Sequence, residues 1–154
     1  MENHSHHHES FTLERIYPKP RAEVWSAWSI REKKADWLHN PELEMDFRAG
    51  GFERSVSRNG AYEHVNDTRY FEIREYERIV LAYSMAVNGR VHTVSLASIT
   101  FADENGGTRL GYTEQMCVIP PSDGLEGRQH GWNALLDALG THLAEAGSRH
   151  EKSR

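Results

Sequence analysis

The sequence predicts an α+β fold, a curved antiparallel sheet of about seven strands wrapped around a long carboxy-terminal helix. Three observations carry this. Trp132, Leu135, Leu136, Leu139 and Leu143 recur at the spacing that places them in one stripe down a helix. Between Leu43 and Val118 the apolar residues instead alternate with polar ones, and Asn-Gly and Gly-rich turn signals divide the segments. The opposite face of the helix carries Asn133, Asp137, Thr141 and Glu145. Its dry side therefore needs a partner surface, and the strands supply one.

Met1 to Ser10 contains His4, His6, His7 and His8 without apolar periodicity and is expected to be a disordered tail. Imidazoles suit zinc, nickel or copper, but flexible terminal histidines hold such ions weakly, so no metal role is assigned. Residues 11–147 then form a single domain, and 148–154 are expected to fray.

Phe11 to Tyr17 reads as a strand ended by Pro18. Pro20 suits the first turn of a helix whose apolar face is Val24, Trp25, Ala27 and Trp28. A second short helix, Arg31 to Leu38, presents Ala35, Trp37 and Leu38 behind the charged run Arg31-Glu32-Lys33-Lys34, read as a solvated face.

Leu43, Met45 and Phe47 alternate with Glu44, Asp46 and Arg48 in a half-buried strand, and Gly50-Gly51 marks a turn or bulge before Phe52 to Ser57. Asn59-Gly60 is a hairpin signal. Arg69 to Tyr76 and Ile79 to Val87 form a further pair, the latter with Ile79, Leu81, Tyr83, Met85 and Val87 on one face. Asn88-Gly89 turns into Val91 to Phe101, and the run from Asp103 to Gly107 turns into Thr108 to Val118, which aligns Leu110, Tyr112, Glu114, Met116 and Val118. Pro120-Pro121 stops this strand. Asp123 with Glu126 forms a capping arrangement for the closing helix. Gly124, Gly127 and Gly131 each weaken its first turns by up to about 1 kcal/mol, so regular helix is expected from near Arg128, with Gly147 as the stop.

A net charge of -5 from 18 basic and 23 acidic residues excludes the clustered basic surface of a nucleic-acid or anionic-membrane binder. The longest apolar run, Ile79 to Val87, is about half of a bilayer span. The polar amino terminus is unlike a signal peptide, and Cys117 as the single cysteine fits a reducing compartment. A cytoplasmic location without membrane insertion is expected.

The chain contains Pro20-x-x-x-Val24-Trp25-x-Ala27-Trp28, then Trp37, then Asp46-x-Arg48-x-Gly50-Gly51. Further on come Glu72-Ile73, Arg78-Ile79-Val80, Phe101 with Gly107-Thr108-Arg109-Leu110, and Gly131-Trp132 with Leu135, Leu136 and Leu139. In order and spacing, over residues 11 to 145, this resembles the helix-grip (Bet v 1-like) fold of the START/SRPBCC superfamily, and within it the branch named for homology to the activator of the Hsp90 ATPase. Thr68-Arg69 stands where that family commonly has a glycine, and Leu38-His39-Asn40-Pro41 follows Trp37 in place of a second tryptophan.

The resemblance implies a cavity between the inner sheet face and the long helix. On the strand phases above, its wall takes Phe52, Phe71, Ile73, Tyr83, Met85, Tyr112 and Met116 from the sheet, and Trp37, Trp132 and Leu136 from the helices. Each of these is also an ordinary core residue. Glu114 shares the apolar face of Tyr112 and Met116, where desolvation raises a carboxyl pKa and suits acid-base work unless an arginine pairs with it. Arg69, in phase with Phe71 and Ile73, is a candidate partner in a structural ion pair, a bulge that turns Glu114 outward is the other plain reading, and Glu114 is a weak catalytic candidate. His64 and His92 are expected to be exposed, and Cys117 to be inert packing. No Gly-rich phosphate loop, His-Glu-x-x-His element, nucleophile elbow or Cys-x-x-Cys pair occurs, and no cofactor is expected.

The leading expectation is a protein that binds an apolar or aromatic small molecule, a lipid, flavonoid or polyketide-like compound. Relatives resembling polyketide cyclases and aromatases make an enzyme the second, with Glu114 or a histidine moving protons. Co-chaperone relatives imply a third, a protein-interaction module, for which the sequence shows no contiguous exposed apolar patch.

Overall fold

The computed structural model describes residues 5–122 and 124–152, with side chains described to residue 146. Strand β1 (His7–Tyr17) leads into helices α1 (Arg21–Ser29) and α2 (Arg31–Trp37). Strands β2 (Glu44–Asp46), β3 (Phe52–Asn59), β4 (Tyr62–Arg74), β5 (Arg78–Val87), β6 (Arg90–Glu104) and β7 (Gly107–Val118) follow, and helix α3 (Gly124–Lys152) closes the chain. The strands form one sheet in the order β1-β7-β6-β5-β4-β3-β2, every neighbouring pair antiparallel. This is the α+β architecture expected from the pattern, in the helix-grip form that the resemblance implies.

Two of the turn signals act through backbone sign. Asn88 and Gly89 have φ of 50° and 79°, and Asn105 and Gly106 have φ of 50° and 83°. Positive φ at both central residues matches the right-handed twist of the flanking strands, so β5 to β6 and β6 to β7 are tight hairpins. Val87 pairs with Arg90, and Glu104 with Gly107.

The inner face of the sheet, α1, α2 and the apolar stripe of α3 enclose the core. Val24, Ala27, Ile99, Leu110, Leu136 and Leu139 are fully buried. Trp25 meets Phe101 edge-on at 5.0 Å and Trp28 meets Trp37 at 5.0 Å, geometries that suit aromatic quadrupoles. Polar ties fix α3 along its length. The Tyr17 hydroxyl donates to the Leu136 carbonyl at 2.8 Å, Arg15 donates to Asn133 Oδ1 at 2.7 Å, and His142 Nδ1 lies 2.6 Å from Asp36 Oδ2.

Several boundaries depart from expectation. The His-rich segment is not a free tail from His7 onward, because His7 to Ser10 pair with Val118 to Gln115. Backbone pairing along the edge of β7 needs no apolar side-chain pattern. Of that segment, residues 1–4 lie outside the described residues. Strand β4 begins at Tyr62, well before Arg69. Helix α3 begins at Gly124, with its N–H donated to Ser122 Oγ at 3.1 Å, and runs past Gly147 to Lys152, through most of the stretch expected to fray. Its glycines cost helix propensity, but the packed stripe outweighs that. The expected cap Asp123 lies outside the described residues. Within the charged run of α2, Lys34 is only 4% exposed.

Strand β4 also carries a bulge. Tyr70 pairs with Leu81 and Glu72 with Val80, which leaves Phe71 as the extra residue. Before the bulge Thr68 and Tyr70 turn inward. After it the inward residue is Ile73, which packs on the core.

Candidate functional site

The helix does not grip the sheet evenly. Leu136, Leu139 and Leu143 are buried to within 2% exposure, whereas Trp132 and Leu135, toward the amino end, are only partly buried. Under those earlier turns lies a cavity of about 220 Å³. Trp28, Lys34 and Leu38 border it from α1, α2 and the residue after it, and Trp132 and Leu135 from α3. Tyr83, Met85 and Tyr112 form one part of the sheet wall. Ser55, His64, Asn66 and Thr68 form a polar part on β3 and β4.

A column of rings runs from the sheet to the helices. Trp132 stacks on Tyr112 with centroids 4.0 Å apart, and its plane is 5° from that of Trp28 at 6.2 Å. The Trp132 indole N–H donates to the Tyr83 hydroxyl oxygen at 3.2 Å.

Below these rings is a saturated polar network. Glu114 Oε1 accepts from the hydroxyls of Tyr83 and Tyr112, each at 2.6 Å. Its Oε2 accepts from Ser95 Oγ at 2.6 Å and from Arg128 Nη1 at 2.5 Å. Arg128 Nη1 also donates to Tyr83 at 2.8 Å, and Nη2 donates to Thr93 Oγ1. Glu114 is fully buried and Arg128 is 9% exposed. Two charges removed from water are tolerated only when paired and further hydrogen-bonded, and both are. Burial, reinforced by the Glu114 charge, pushes the Tyr83 phenol well above its ordinary value. Burial does the same to Tyr112, with Tyr83 and Glu114 adding to it.

A second buried pair stands at the other end. Lys34 Nζ donates to Glu53 Oε1 at 2.5 Å, and the Tyr70 hydroxyl donates to the same oxygen at 2.6 Å. The ammonium sits 5.1 Å from the Trp28 ring centroid, a cation-π distance. Burial, then the Glu53 charge, raises the Tyr70 phenol far above the ordinary range.

Of the residues expected to line the cavity, Tyr83, Met85, Tyr112 and Trp132 do so. Glu114 lies beneath them. Leu136 and Met116 are buried core, and Trp37 is 1% exposed with its indole N–H donated to the Ala27 carbonyl at 2.8 Å. Ile73 packs partly buried on the core. Phe52, Phe71 and Arg69 are exposed on the outer side of the sheet. Phe52 and Arg69 are paired neighbours whose phase is opposite to the one assumed, so Glu53 and Ser55, with Thr68 and Tyr70, face inward instead. Arg69 is therefore not the partner of Glu114; Arg128 is. His64 and His92 are half-buried, neither fully exposed, and His64 reaches the cavity.

Arg128 had a signal in the sequence. It lies one helical turn before Trp132, so it extends the apolar stripe backward with a charge. Lys34, three residues before Trp37, is the same kind of exception on α2. Charged residues in phase with an apolar stripe point to buried partners. Among the described residues no group of three or more His, Cys, Asp or Glu side chains is arranged to hold a metal ion.

A curved sheet closed by a carboxy-terminal helix, with a hollow under that helix, defines a helix-grip protein of the START/SRPBCC kind. Residues 18–144 match the family described as Activator of Hsp90 ATPase homolog 1-like protein, and the chain belongs to that family. It is similar to the crystal structure of Mll3558 from Rhizobium loti, with 34% identity and a TM-score of 0.86 over 90% of this chain and 99% of that one. It is likewise similar to a protein from Rhizobium leguminosarum, with 30% identity and a TM-score of 0.88 over 94% of this chain and 99% of that one. CalU16 from Micromonospora echinospora, at 19% identity and a TM-score of 0.65 over 98% and 91% of the two chains, shares the fold alone. A comparison with curated proteins gives no match. No helix among the described residues is long and apolar enough to cross a membrane.

Proposed function

We propose that this chain binds an apolar or aromatic small molecule in the cavity beneath the first turns of α3. The observation that supports the reading is the hollow itself, bordered by the partly buried Trp132 and Leu135 together with Trp28 and Met85, with Tyr112 backing Trp132 from the sheet. Burying a flat ligand there removes apolar area from water at about 25 cal/mol per Å² before ordering costs. Glu114 supports binding over acid-base catalysis. Both of its oxygens already accept two donors, so no lone pair is left for a substrate proton.

A library of planar aromatic compounds and fatty acids, scored by thermal shift and tryptophan quenching, tests this reading. Aromatic compounds should raise the melting temperature of the wild type and fail to do so with Leu135→Trp, which fills the hollow. A screen in which no compound shifts melting overturns it.

A protein-interaction role has one observation in its favour. Val94 and Leu96, 46% and 49% exposed, lie with Ala82 and Cys117 along a shallow groove on the convex sheet face. Leu96→Asp should abolish capture of a partner in a pull-down if that groove is used; unchanged capture removes the idea.

A further inference from the structure

We infer that the ligand is an organic anion, its aromatic body in the hollow beside Trp132 and Met85 and its acidic group at the mouth of the cavity beside Arg90. The inference rests on the cavity reading above and names the ligand class for the same site.

The cavity continues outward. A cleft of about 240 Å³ shares Tyr83, Met85 and Trp132 with it, and a wider one of about 510 Å³ shares His64 and Met85. Met85 is thus common to all three hollows, and a molecule lying on Trp132 reaches the outermost one past that side chain.

The charge along this path changes in one direction. Inside, Lys34 is neutralised by Glu53 and Arg128 by Glu114. At the mouth, the wider cleft is lined by His64, Arg90, His92 and Ser122, with no Asp or Glu among its described residues. Arg90 starts β6 directly after the Asn88-Gly89 turn, and among the described residues no carboxylate lies within ion-pair distance of it. The chain as a whole carries -5 with its histidines neutral, whereas among the described residues of this cleft Arg90 is the one formally charged side chain. Pro121 and Ser122, which precede α3, also border this cleft, so the positive end of a 29-residue helix lies beside it. A guanidinium with open donors binds a carboxylate or sulfonate in a forked, charge-assisted way. A neutral ligand would leave that group unused.

Two fluorescent probes with one body separate the possibilities: 8-anilino-1-naphthalenesulfonate and the uncharged N-phenyl-1-naphthylamine. At low salt the sulfonate should bind about tenfold more tightly, and the preference should shrink as salt screens the mouth. Arg90→Gln should bring the ratio close to one, leaving melting temperature and the affinity of the neutral probe unchanged. Leu135→Trp should exclude both probes. Equal or tighter binding of the neutral probe, or a ratio that Arg90→Gln does not alter, overturns the anion inference and leaves the cavity reading standing. Binding of neither probe overturns both.

Discussion

Arg128 on α3 and Glu114 on β7 meet at 2.5 Å with almost no exposure to water, and they join the closing helix to the strand beside the β1 edge of the sheet. Removing either partner leaves a buried charge without its counter-charge. Glu114→Gln or Arg128→Met should each lower the unfolding free energy by about 3–5 kcal/mol. The double replacement Glu114→Gln with Arg128→Met should lose clearly less than the sum of the two single losses. Urea unfolding of the three variants measures the coupling; additive losses would contradict the pairing.

Lys34 and Glu53 form the second buried pair, with side chains 6% and 11% exposed. Lys34→Met leaves the Glu53 carboxylate with Tyr70 alone and should cost about 3 kcal/mol. Arg54 and Asp67 also pair, at 3.2 Å, but are 45% and 58% exposed. Arg54→Ala should therefore change stability by less than about 1 kcal/mol. Chemical denaturation of both variants side by side tests whether burial decides the difference.

Trp132→Ala removes the ring stacked on Tyr112 and widens the cavity. Because Trp132 is only partly buried, the loss should fall below the roughly 3–5 kcal/mol of a fully buried tryptophan. Aromatic ligand affinity should fall more than stability does. Calorimetric titration together with a melting curve separates the two effects.

Burial raises the phenols of Tyr17, Tyr70, Tyr83 and Tyr112 above their ordinary value of 10.0. Above about pH 10 an unfolded chain sheds these protons while the native state keeps them. Their contribution to stability is complete below that pH and is lost as pH rises through the higher native values. Unfolding free energy should therefore decline from about pH 10 upward. The tyrosinate absorbance of the native protein should also lag behind that of the denatured chain. Coincident titration curves would contradict the burial of these hydroxyls.

The period-two segments and the α3 stripe made the sheet and its closing helix legible in the sequence, because regular alternation is a direct record of which side is dry. The phase of β5 and β7 followed correctly, so Tyr83, Met85 and Tyr112 stood where expected. Strand β4 did not, since a bulge reverses its phase at Phe71 and has no clear mark in the residues around it. The error carried Arg69 and Phe71 to the wrong face and hid the polar wall of His64, Asn66 and Thr68. Arg128 and Lys34 were visible only as interruptions of apolar faces, and their partners lie on distant strands that no local pattern names.

The bulge at Phe71 divides β4 into two pieces with opposite parity. The stretch before it supplies His64, Asn66 and Thr68 to the wall of the hollow, while Ile73, beyond it, serves the interior packing. Trimming Phe71 from the chain would therefore do more than shorten a strand by one unit. It would force one piece to trade its wet residues for its dry ones, turning the wall of the hollow inside out while the order of strands stayed the same.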